Sequence, residues 1–575
     1  MMHMLQGLKY LWHVVKAPSE VTQKLSLLYS LSNPVAQVLI NRGYTTAQDL
    51  EDFLFTPVDS CVYDPALLKD ANKAVDRIIS AINNKEKILI AGDYDVDGIS
   101  ASALMVHCLR DLDAQVNFFL PNRVVDGYGL SVKTVGRAAS NNFRVIITVD
   151  NGITAFDAAK KAKECNIDLI ITDHHRPHGK IPEAYAIVDP CQKDCKYPFK
   201  SLAGVGVAFK ILVLLYQKLG KELPEKAYEL LLLGTVADVV PLLGENRYWV
   251  RRGLQQVNAQ VSPAIRILKE NVKCDKPVIS STDIGFAIAP QINALGRLED
   301  PRRGVSFLLG DDTPETERIG RVLGFLNESR KRIERKTYED VEQFIIEKKI
   351  DKDNDLVFIA VHDQWQPGVI GLVASRIVGA YGRPTILLHK TKDGMLKGSC
   401  RSISAFNLFA ALQECSDLLN SFGGHKMAAG LSLLEENLES LKERLEKIIR
   451  RDLSDEDLLQ KVTIDASLGL YDMGKKLVRD LAFLEPFGAE NSRPLFLIEH
   501  VTLVDVPLLL KQAHVKCRIF ADGIIKPVIF FNRPDIFSLL MDNQDAEFSV
   551  IGNVTENTWR GKASVEILGL DIMLK

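Results

Sequence analysis

"KILIAGDYDVDGISASALMVHCLRDL", Lys87 to Leu112, decides the fold class. It opens on a short apolar run that includes β-branched Ile88 and Ile90, which reads as a strand. It closes on apolar residues at helical spacing, from Ile99 to Leu112. Between the two lie Asp93, Asp95 and Asp97 at alternate positions, followed by Gly98. A calcium-binding EF-hand loop begins in the same way. Counted from Asp93, however, such a loop needs a bidentate glutamate at its twelfth position, where this chain has Leu104. An EF-hand also follows a helix, whereas this stretch follows a strand. The aspartates therefore sit where a strand hands over to a helix, the place where open parallel sheets bind ligands.

The same alternation continues outward. "QVNFFLP", "RVIITVD", "DLIITD" and "YAIVDP" are short apolar runs separated by helical stretches such as "TAFDAAKKAKECN". That pattern predicts a parallel α/β sheet over residues 71–275, helical from about residue 201. Residues 1–70 read as a helical segment. Residues 276–349 read as a helical connection, with a long helix over 315–349, where helix formers dominate and breakers are few. A second α/β unit is expected over 350–460, with "DLVFIAV", "RPTILLH" and "GMLKGSCRS" as strands. From 461 to 575 the pattern turns to strands alone, which fits a small β-barrel such as an OB-fold. The fold class expected is α/β: two α/β domains joined by a long helix, plus a C-terminal β-barrel.

A chain of 575 residues has room for three or four domains. Its hydrophobic content of 46% and charged content of 25% are ordinary for a globular protein. The net charge of -3 gives no overall basic signal, so a nucleic-acid partner would need a local patch. Nine cysteines scattered over this length do not suggest a disulfide framework. Cys191 and Cys195, with His174, His175 and His178 upstream, could be imagined as a zinc site. The spacing is not a standard one, and a turn before "YPF" accounts for the pair as well. The opening "MMHMLQGLKYLWHVV" lacks the features of a signal peptide and reads as an amphipathic or docking segment. No apolar stretch is long and clean enough to span a bilayer. No membrane partner and a cytoplasmic location are expected.

Chemistry concentrates at three strand ends. The first delivers Asp93, Asp95 and Asp97, the second Asp150, and the third Asp173, His174 and His175. If the strands are parallel, all these side chains gather along one sheet edge. So many carboxylates cannot share a cleft without positive charge, and divalent cations supply it most simply. Asp238, in the otherwise apolar "LLLGTVADVV", is a natural further ligand. Taken singly, Asp150 reads equally well as a helix N-cap. "DYDVD" could be a turn and "HH" a polar pair; their joint occurrence favours a metal site. Carboxylates with imidazole and no thiolate suit Mn2+ or Mg2+, with imidazole tilting towards manganese. Two ions ~4 Å apart under a bridging carboxylate would suit in-line attack at phosphorus, one activating water and the other stabilising the leaving oxygen.

At these residues the sequence resembles the DHH phosphoesterase superfamily, named for the triplet present here as Asp173-His174-His175. "GDYDVDG", "VDNGI", "KSLAGVGVAFK", "LGTVADVVPL", "INALGRL", "GVIGLVASRIV", "GSCRSISAFNL", "FGGHKMAAG" and "LEPFGAEN" run in the order of its bacterial single-strand-specific exonucleases. The resemblance covers about residues 91–491. It implies a DHH domain, a DHH-associated (DHHA1) domain and an OB-fold. It further implies that Asp95 and Asp97 contact different ions and that Asp150 bridges them. His174 and Asp238 would complete the second site, His175 would face substrate or order the site, and Asp93 would ligate or support. Ser399 and Arg401 look like the family's phosphate-binding pair, which suits the planar fork of arginine. Arg297 and Arg376 look like further strand contacts, and His425 like a substrate-contacting histidine. Each alone fits an ordinary surface or capping role equally well.

Tyr128 in "DGYGL" could stack on a base or pack in a loop. The basic run "SRKRIERK", Ser329 to Lys336, is a solvated helix face unless a nucleic-acid groove lies beside it. Three residues depart from the family pattern. Gln291 stands where arginine is expected, Gln366 where histidine is expected, and Glu490 where glycine is common. The reading is a Mn2+- or Mg2+-dependent exonuclease on single-stranded DNA. The resemblance adds 5′-to-3′ polarity, nucleoside 5′-monophosphate products and roles in recombination and repair. It also adds a single-strand-binding protein and a helicase as partners. The alternative is a DHH phosphodiesterase on short oligoribonucleotides or cyclic dinucleotides, which would have little use for the barrel.

Overall fold

The computed structural model describes residues 2–122, 126–127, 129–177, 179–310, 313–351, 354–391, 393–559 and 562–575. The chain forms two compact units. One comprises Thr46–Glu328 and Leu484–Arg493; the other comprises Met1–Thr45, Ser329–Phe483 and Pro494–Lys575.

The first unit is built on a five-stranded sheet. Its strands are β1 (Lys87–Gly92), β2 (Gln115–Phe119), β3 (Phe143–Val149), β4 (Asp168–Thr172) and β5 (Ala186–Val188). Every pairing is parallel, in the order β2-β1-β3-β4-β5. The apolar runs are continuous because both faces are covered. Ile88 and Ile90 of β1 point into one core with Val145, Ile147 and Ile170. Leu89 and Ala91, one residue out of phase, point into the other with Ile146 and Leu169. The first core is closed by helices α1 (Val96–Asp111), α2 (Gly204–Leu219) and α3 (Lys226–Ala237). The second is closed by helices over Val132–Ser140 and Phe156–Glu164. In this order the chain reverses direction between β1 and β3, and the crevice at such a point is where doubly wound sheets bind ligands. A π-helical turn, Ile284–Ile288, leads into α4 (Ala289–Leu298) in the same unit.

Helix α5 (Pro314–Glu347) is the long helix expected from the sequence, and the division between the units falls within it. The second unit carries another five-stranded sheet. Strands β6 (Phe358–His362) and β7 (Thr385–Lys390) pair in parallel. β8 (Met395–Arg401), β9 (Ser421–Gly424) and β10 (Ala428–Leu434) complete it antiparallel, in the order β9-β10-β8-β7-β6. Helix α6 (Pro367–Tyr381) packs on β7 and β8.

The barrel has strands β11 (Phe496–Leu503), β12 (His514–Ala521), β13 (Ile524–Phe530), β14 (Phe548–Trp559) and β15 (Lys562–Leu574). The order β11-β14-β15-β13-β12 closes through a β11–β12 pairing, with β13 and β15 parallel. This is the five-stranded Greek-key barrel expected of an OB-fold.

The reading of residues 1–70 as helical needs correction. Met2–Gln6 and Leu11–Val15 form an antiparallel hairpin, and the second strand pairs in parallel with Lys461–Ile464. Helices begin only at Ser19. The hairpin is tied to the barrel by buried Asp571, which accepts hydrogen bonds from the Lys9 and Tyr10 amides and from Trp12 Nε1. Its other close partner is the Arg533 guanidinium, at 3.0 Å. The segment therefore divides: residues up to 45 cluster with the barrel, and those from 46 with the parallel sheet.

Candidate metal centre and phosphate-binding residues

Strand register places four aspartates in one row. Gly92, Val149, Thr172 and Val188 are neighbours across β1, β3, β4 and β5. The next residue on each strand is Asp93, Asp150, Asp173 and Asp189. All four are buried. Asp95 starts α1 as its N-cap, accepting a hydrogen bond from the Gly98 amide. Asp97 lies in the first turn of the same helix. Asp238 ends α3, and His174 and His175 follow Asp173.

Asp150 is no helix cap. The next helix begins at Phe156, and Asp150 has φ 62°, the left-handed region that an ordinary side chain adopts only under constraint. Asn151 supplies part of that constraint. Its side-chain amide donates to the carbonyls of Ala91 and Val149, bridging the ends of β1 and β3.

Oxygen and imidazole nitrogen atoms converge in three overlapping groups, each with its atoms within 4.8 Å of one another: Asp93, Asp95 and Asp150; Asp97, His174 and Asp238; and Asp150, His174 and His175. His174 Nε2 lies 3.1 Å from Asp150 Oδ1 and 3.7 Å from Asp238 Oδ2. His174 Nε2 and Asp238 Oδ2 are buried atoms without a hydrogen-bond partner. The hydrogen bond from the His174 ring to the Leu202 backbone must therefore use Nδ1. A metal-ligating histidine has this arrangement, one nitrogen held by a backbone carbonyl and the other aimed at the ion.

The electrostatics agree. Burial, reinforced by Asp97, Asp95, Asp238 and Asp93, pushes the Asp150 carboxyl well above its usual range. Burial, with Asp97 and Asp95, does the same to Asp238. Asp97 rises to about 7 through burial and the Asp95 charge, against the opposing amides of Val205 and Gly204. Burial and the neighbouring His175 lower His174 to about 4, leaving it neutral, the form that ligates metals. Buried carboxylates that resist ionisation together, beside a neutral imidazole, form a donor set that fits a divalent cation.

Several supporting groups were not apparent from the sequence. Asp97 accepts hydrogen bonds from the amides of Gly204 (2.7 Å) and Val205 (2.8 Å), at the start of α2. This explains the glycine in "LAGVG": a Cβ at Gly204 would lie 2.5 Å from Asp150 Cβ. One at Gly234 would lie 2.8 Å from Asp97 Oδ1. Asp173 orients His175, with Oδ1 2.7 Å from its Nδ1, and accepts the Ile153 amide through Oδ2. Burial alone would lower the His175 pKa, but the Asp173 hydrogen bond and charge, with more distant Asp97 and Asp93, raise it. Asp189 is pushed up to about 7 by burial and lies close enough to Asp173 to feel its charge.

Cys191 and Cys195 turn to the backbone, at Lys200 O and the Lys69 amide, and no metal-capable group among the described residues includes a cysteine.

In the second unit, Ser399 and Arg401 lie on one face of β8, two residues apart. Arg401 Nε donates to Ser375 Oγ of α6 at 3.1 Å, and Ser375 Oγ donates to Gly371 O. A Cβ at Gly371 would lie 2.8 Å from Arg401 Nη2 and 3.3 Å from Ser399 Oγ, so this glycine opens the space between them. Arg376 pairs with Glu334 at 3.3 Å and stacks over the Tyr338 ring. Arg330 of the basic run meets the same glutamate at 2.8 Å. His425 is exposed and follows Gly424, which has φ 141°. Arg297 lies in the last turn of α4 in the first unit. Gly296 beside it abuts the Tyr94 carbonyl so closely that a Cβ would sit 2.3 Å away, bringing α4 against the aspartate loop. Tyr128 lies outside the described residues.

The three departures have different meanings. Gln291 is buried. It donates to the carbonyls of Leu268 and Ala287 and accepts from Asn271, so it serves packing. Glu490 has φ 56°, the conformation for which glycine is the natural residue. Gln366 is an exposed residue at the start of α6.

Comparison with known proteins agrees with this arrangement. Residues 87–235 match the DHH family N-terminal domain, 353–451 the DHHA1 domain and 464–571 the RecJ OB domain. A parallel sheet with a carboxylate row, a DHHA1 domain and this barrel define a DHH-type protein with an OB module. The chain is 35% identical to the single-stranded-DNA-specific exonuclease RecJ of Bacillus subtilis, over 97% of this chain and 70% of that one. It is 33% identical to the Escherichia coli protein of the same name, over 96% and 97%. The solved structure of RecJ with Mn2+ from Thermus thermophilus superposes with TM-score 0.82 at 28% identity, covering 98% of this chain and 79% of that one. Its Mg2+ complex gives TM-score 0.76 at 26% identity, covering 98% and 78%. The chain belongs to the RecJ family.

Proposed function

We propose that this chain is a metal-dependent exonuclease that degrades single-stranded DNA. The observation that carries the reading is the row of strand-end aspartates, with His174 and Asp238 aiming orphaned atoms at the same place. Asp93, Asp95 and Asp150 would hold one Mn2+ or Mg2+ ion; Asp97, His174 and Asp238 would hold a second, with Asp150 between them. Bound ions would supply an activated water and charge stabilisation at the leaving oxygen. The protein's own groups do the rest. Asn151 and the constrained backbone hold Asp150 in place. Asp173 fixes His175, which would face the phosphodiester or order the site. Ser399 and Arg401, with Arg297, Arg376 and His425, would bind the phosphate backbone.

The RecJ OB-domain match and the closed barrel favour long single strands over short oligoribonucleotides or cyclic dinucleotides. Family resemblance supports 5′-to-3′ polarity, 5′-mononucleotide products, and work in recombination and repair beside a single-strand-binding protein and a helicase. For truncations, the working division is 71–275, 276–349, 350–460 and 461–575, with the hairpin of residues 2–15 kept on the barrel.

Replacing Asp150 with Ala is expected to lower Mn2+-dependent cleavage by about 10³-fold or more while strand binding stays measurable. Near-normal turnover in that variant refutes the assignment.

A further inference from the structure

We propose that Asn246 is a positioning residue for one ion of the metal centre, joining the two loops that carry or orient that ion's ligands; this rests on the function proposed above. Asn246 lies in the first turn of the helix Gly244–Ala259 and is 1% exposed. A side-chain amide carries two donor hydrogens, and burying it with donors unused is costly. Here both are used. Asn246 Nδ2 donates to Ser201 O at 2.6 Å and to Pro241 O at 3.0 Å.

Each carbonyl belongs to a segment that ends at the same group of donors. Ser201 precedes Leu202, whose carbonyl holds the His174 ring at Nδ1 and leaves Nε2 aimed into the site. The same segment runs on to the amides of Gly204 and Val205, which clamp Asp97. Pro241 follows Asp238 by three residues. Between them Val239 has φ 60°, a left-handed conformation that a β-branched residue adopts only under constraint, so this loop needs an anchor on its far side. All three members of the group Asp97, His174 and Asp238 thus lean on backbone that Asn246 bridges.

The asparagine is itself held in place. Successive helical residues point about 100° apart, so its two buried polar neighbours turn to other segments. Glu245 accepts hydrogen bonds from Tyr197, Lys210 and Trp249. Arg247 donates to the carbonyls of Phe53 and Leu484. These contacts fix the start of the helix, and the Asn246 amide is presented to the two loops at a set place. Groups that orient a metal-ligating histidine change metal affinity by about 10- to 100-fold when mutated. Asn246 stands one link further out, behind the Leu202 carbonyl, so the lower end of that range applies.

The test compares the full-length protein with Asn246→Ala and with a matched control, Gln291→Ala, which removes another buried amide that donates to two carbonyls. Asn246→Ser, which keeps a shorter donor, takes the place of the alanine variant if thermal melts show that the latter does not fold. Mn2+ is titrated into metal-free protein without DNA, and free Mn2+ is followed by electron paramagnetic resonance. Asn246→Ala is expected to weaken one ion of the pair about tenfold and the other less, while Gln291→Ala keeps the parent's affinities. In cleavage assays the Asn246 variant is expected to slow at limiting Mn2+ and recover at excess Mn2+, with KM for the strand unchanged. Parent-like affinity for both ions in a folded Asn246 variant overturns the proposal. An equal weakening by Asn246→Ala and Gln291→Ala assigns the effect to general loosening and also overturns it. A parent protein that binds no Mn2+ defeats the metal-centre reading, and the positioning role falls with it. One that binds Mn2+ but does not cleave single strands defeats the exonuclease reading alone, and the isotherms still decide the role of Asn246.

Discussion

The two sheets present their polar residues in opposite ways. At the end of the parallel sheet, carboxylates of one sign are crowded and buried, and His174 Nε2 and Asp238 Oδ2 are left without hydrogen-bond partners. On β8 and α6 the charged groups already have protein partners: Arg401 has Ser375, and Arg376 has Glu334 and the Tyr338 ring. The first edge gathers donor groups that fit a divalent cation. On the second, the arginines are held by neighbouring side chains, the arrangement in which the proposed phosphate contacts would be made. Disturbing the first should therefore abolish chemistry, whereas disturbing the second should tune binding.

The largest contrast, after loss of Asp150 itself, is expected from a residue with no functional group. Gly204→Ala puts a methyl against Asp150 and should displace the carboxylate between the two donor groups. A fall of about 10- to 100-fold in turnover at limiting Mn2+, partly rescued by excess Mn2+, is expected from steady-state kinetics. Unaltered metal dependence would show that the contact does not position Asp150.

On the second sheet, Arg401→Lys keeps the charge but loses the planar fork held by Ser375. KM should rise about tenfold with little change in metal dependence. An equal fall in kcat across all metal concentrations would erase the proposed distinction between the two regions.

Acid titration gives a smaller effect, in which His174, lowered to about 4, opposes three raised carboxyls and is outnumbered by them. Asp150 and Asp238 are raised by burial and mutual repulsion, and Asp97 is raised to about 7. An acid whose folded pKa lies above its unfolded value adds stability below the unfolded value, about 4, and loses it as pH climbs through the folded one. Metal-free protein should therefore melt a few degrees lower at pH 8 than at pH 5. Asp150→Asn should flatten that slope, and Mn2+ should reverse it by binding only the folded form. A metal-free melting temperature that rises over this interval contradicts the sign.

The carboxylate row was readable because side chains at strand ends need only the strand pattern to be placed. Asp93, Asp150 and Asp173 each follow an apolar run, and parallel pairing aligns them. The second tier was not readable, since it depends on contacts between distant segments. Asp97 is clamped by backbone amides of Gly204 and Val205, and Asn151 bridges two strand ends through its side-chain amide. Asp189 also followed a quoted strand, "YAIVDP", and the register rule applied to it as well. The N-terminal hairpin was misread for the same physical reason as the clamps. Its partner strand begins at Lys461, and its polar anchor is Asp571, neither of which local propensity can report. On the second sheet, the sequence singled out Ser399, Arg401 and Arg376 but not Ser375 or Glu334, which already engage the two arginines.

The central claim is that the row of strand ends binds a pair of divalent cations through a shared Asp150. Titrating Mn2+ into metal-free protein, followed by electron paramagnetic resonance, tests it most directly. The account predicts about two ions per chain, with the spectrum of a magnetically coupled pair that Asp150→Asn uncouples. A single uncoupled ion in the parent protein, or a coupled pair that survives Asp150→Asn, would contradict it.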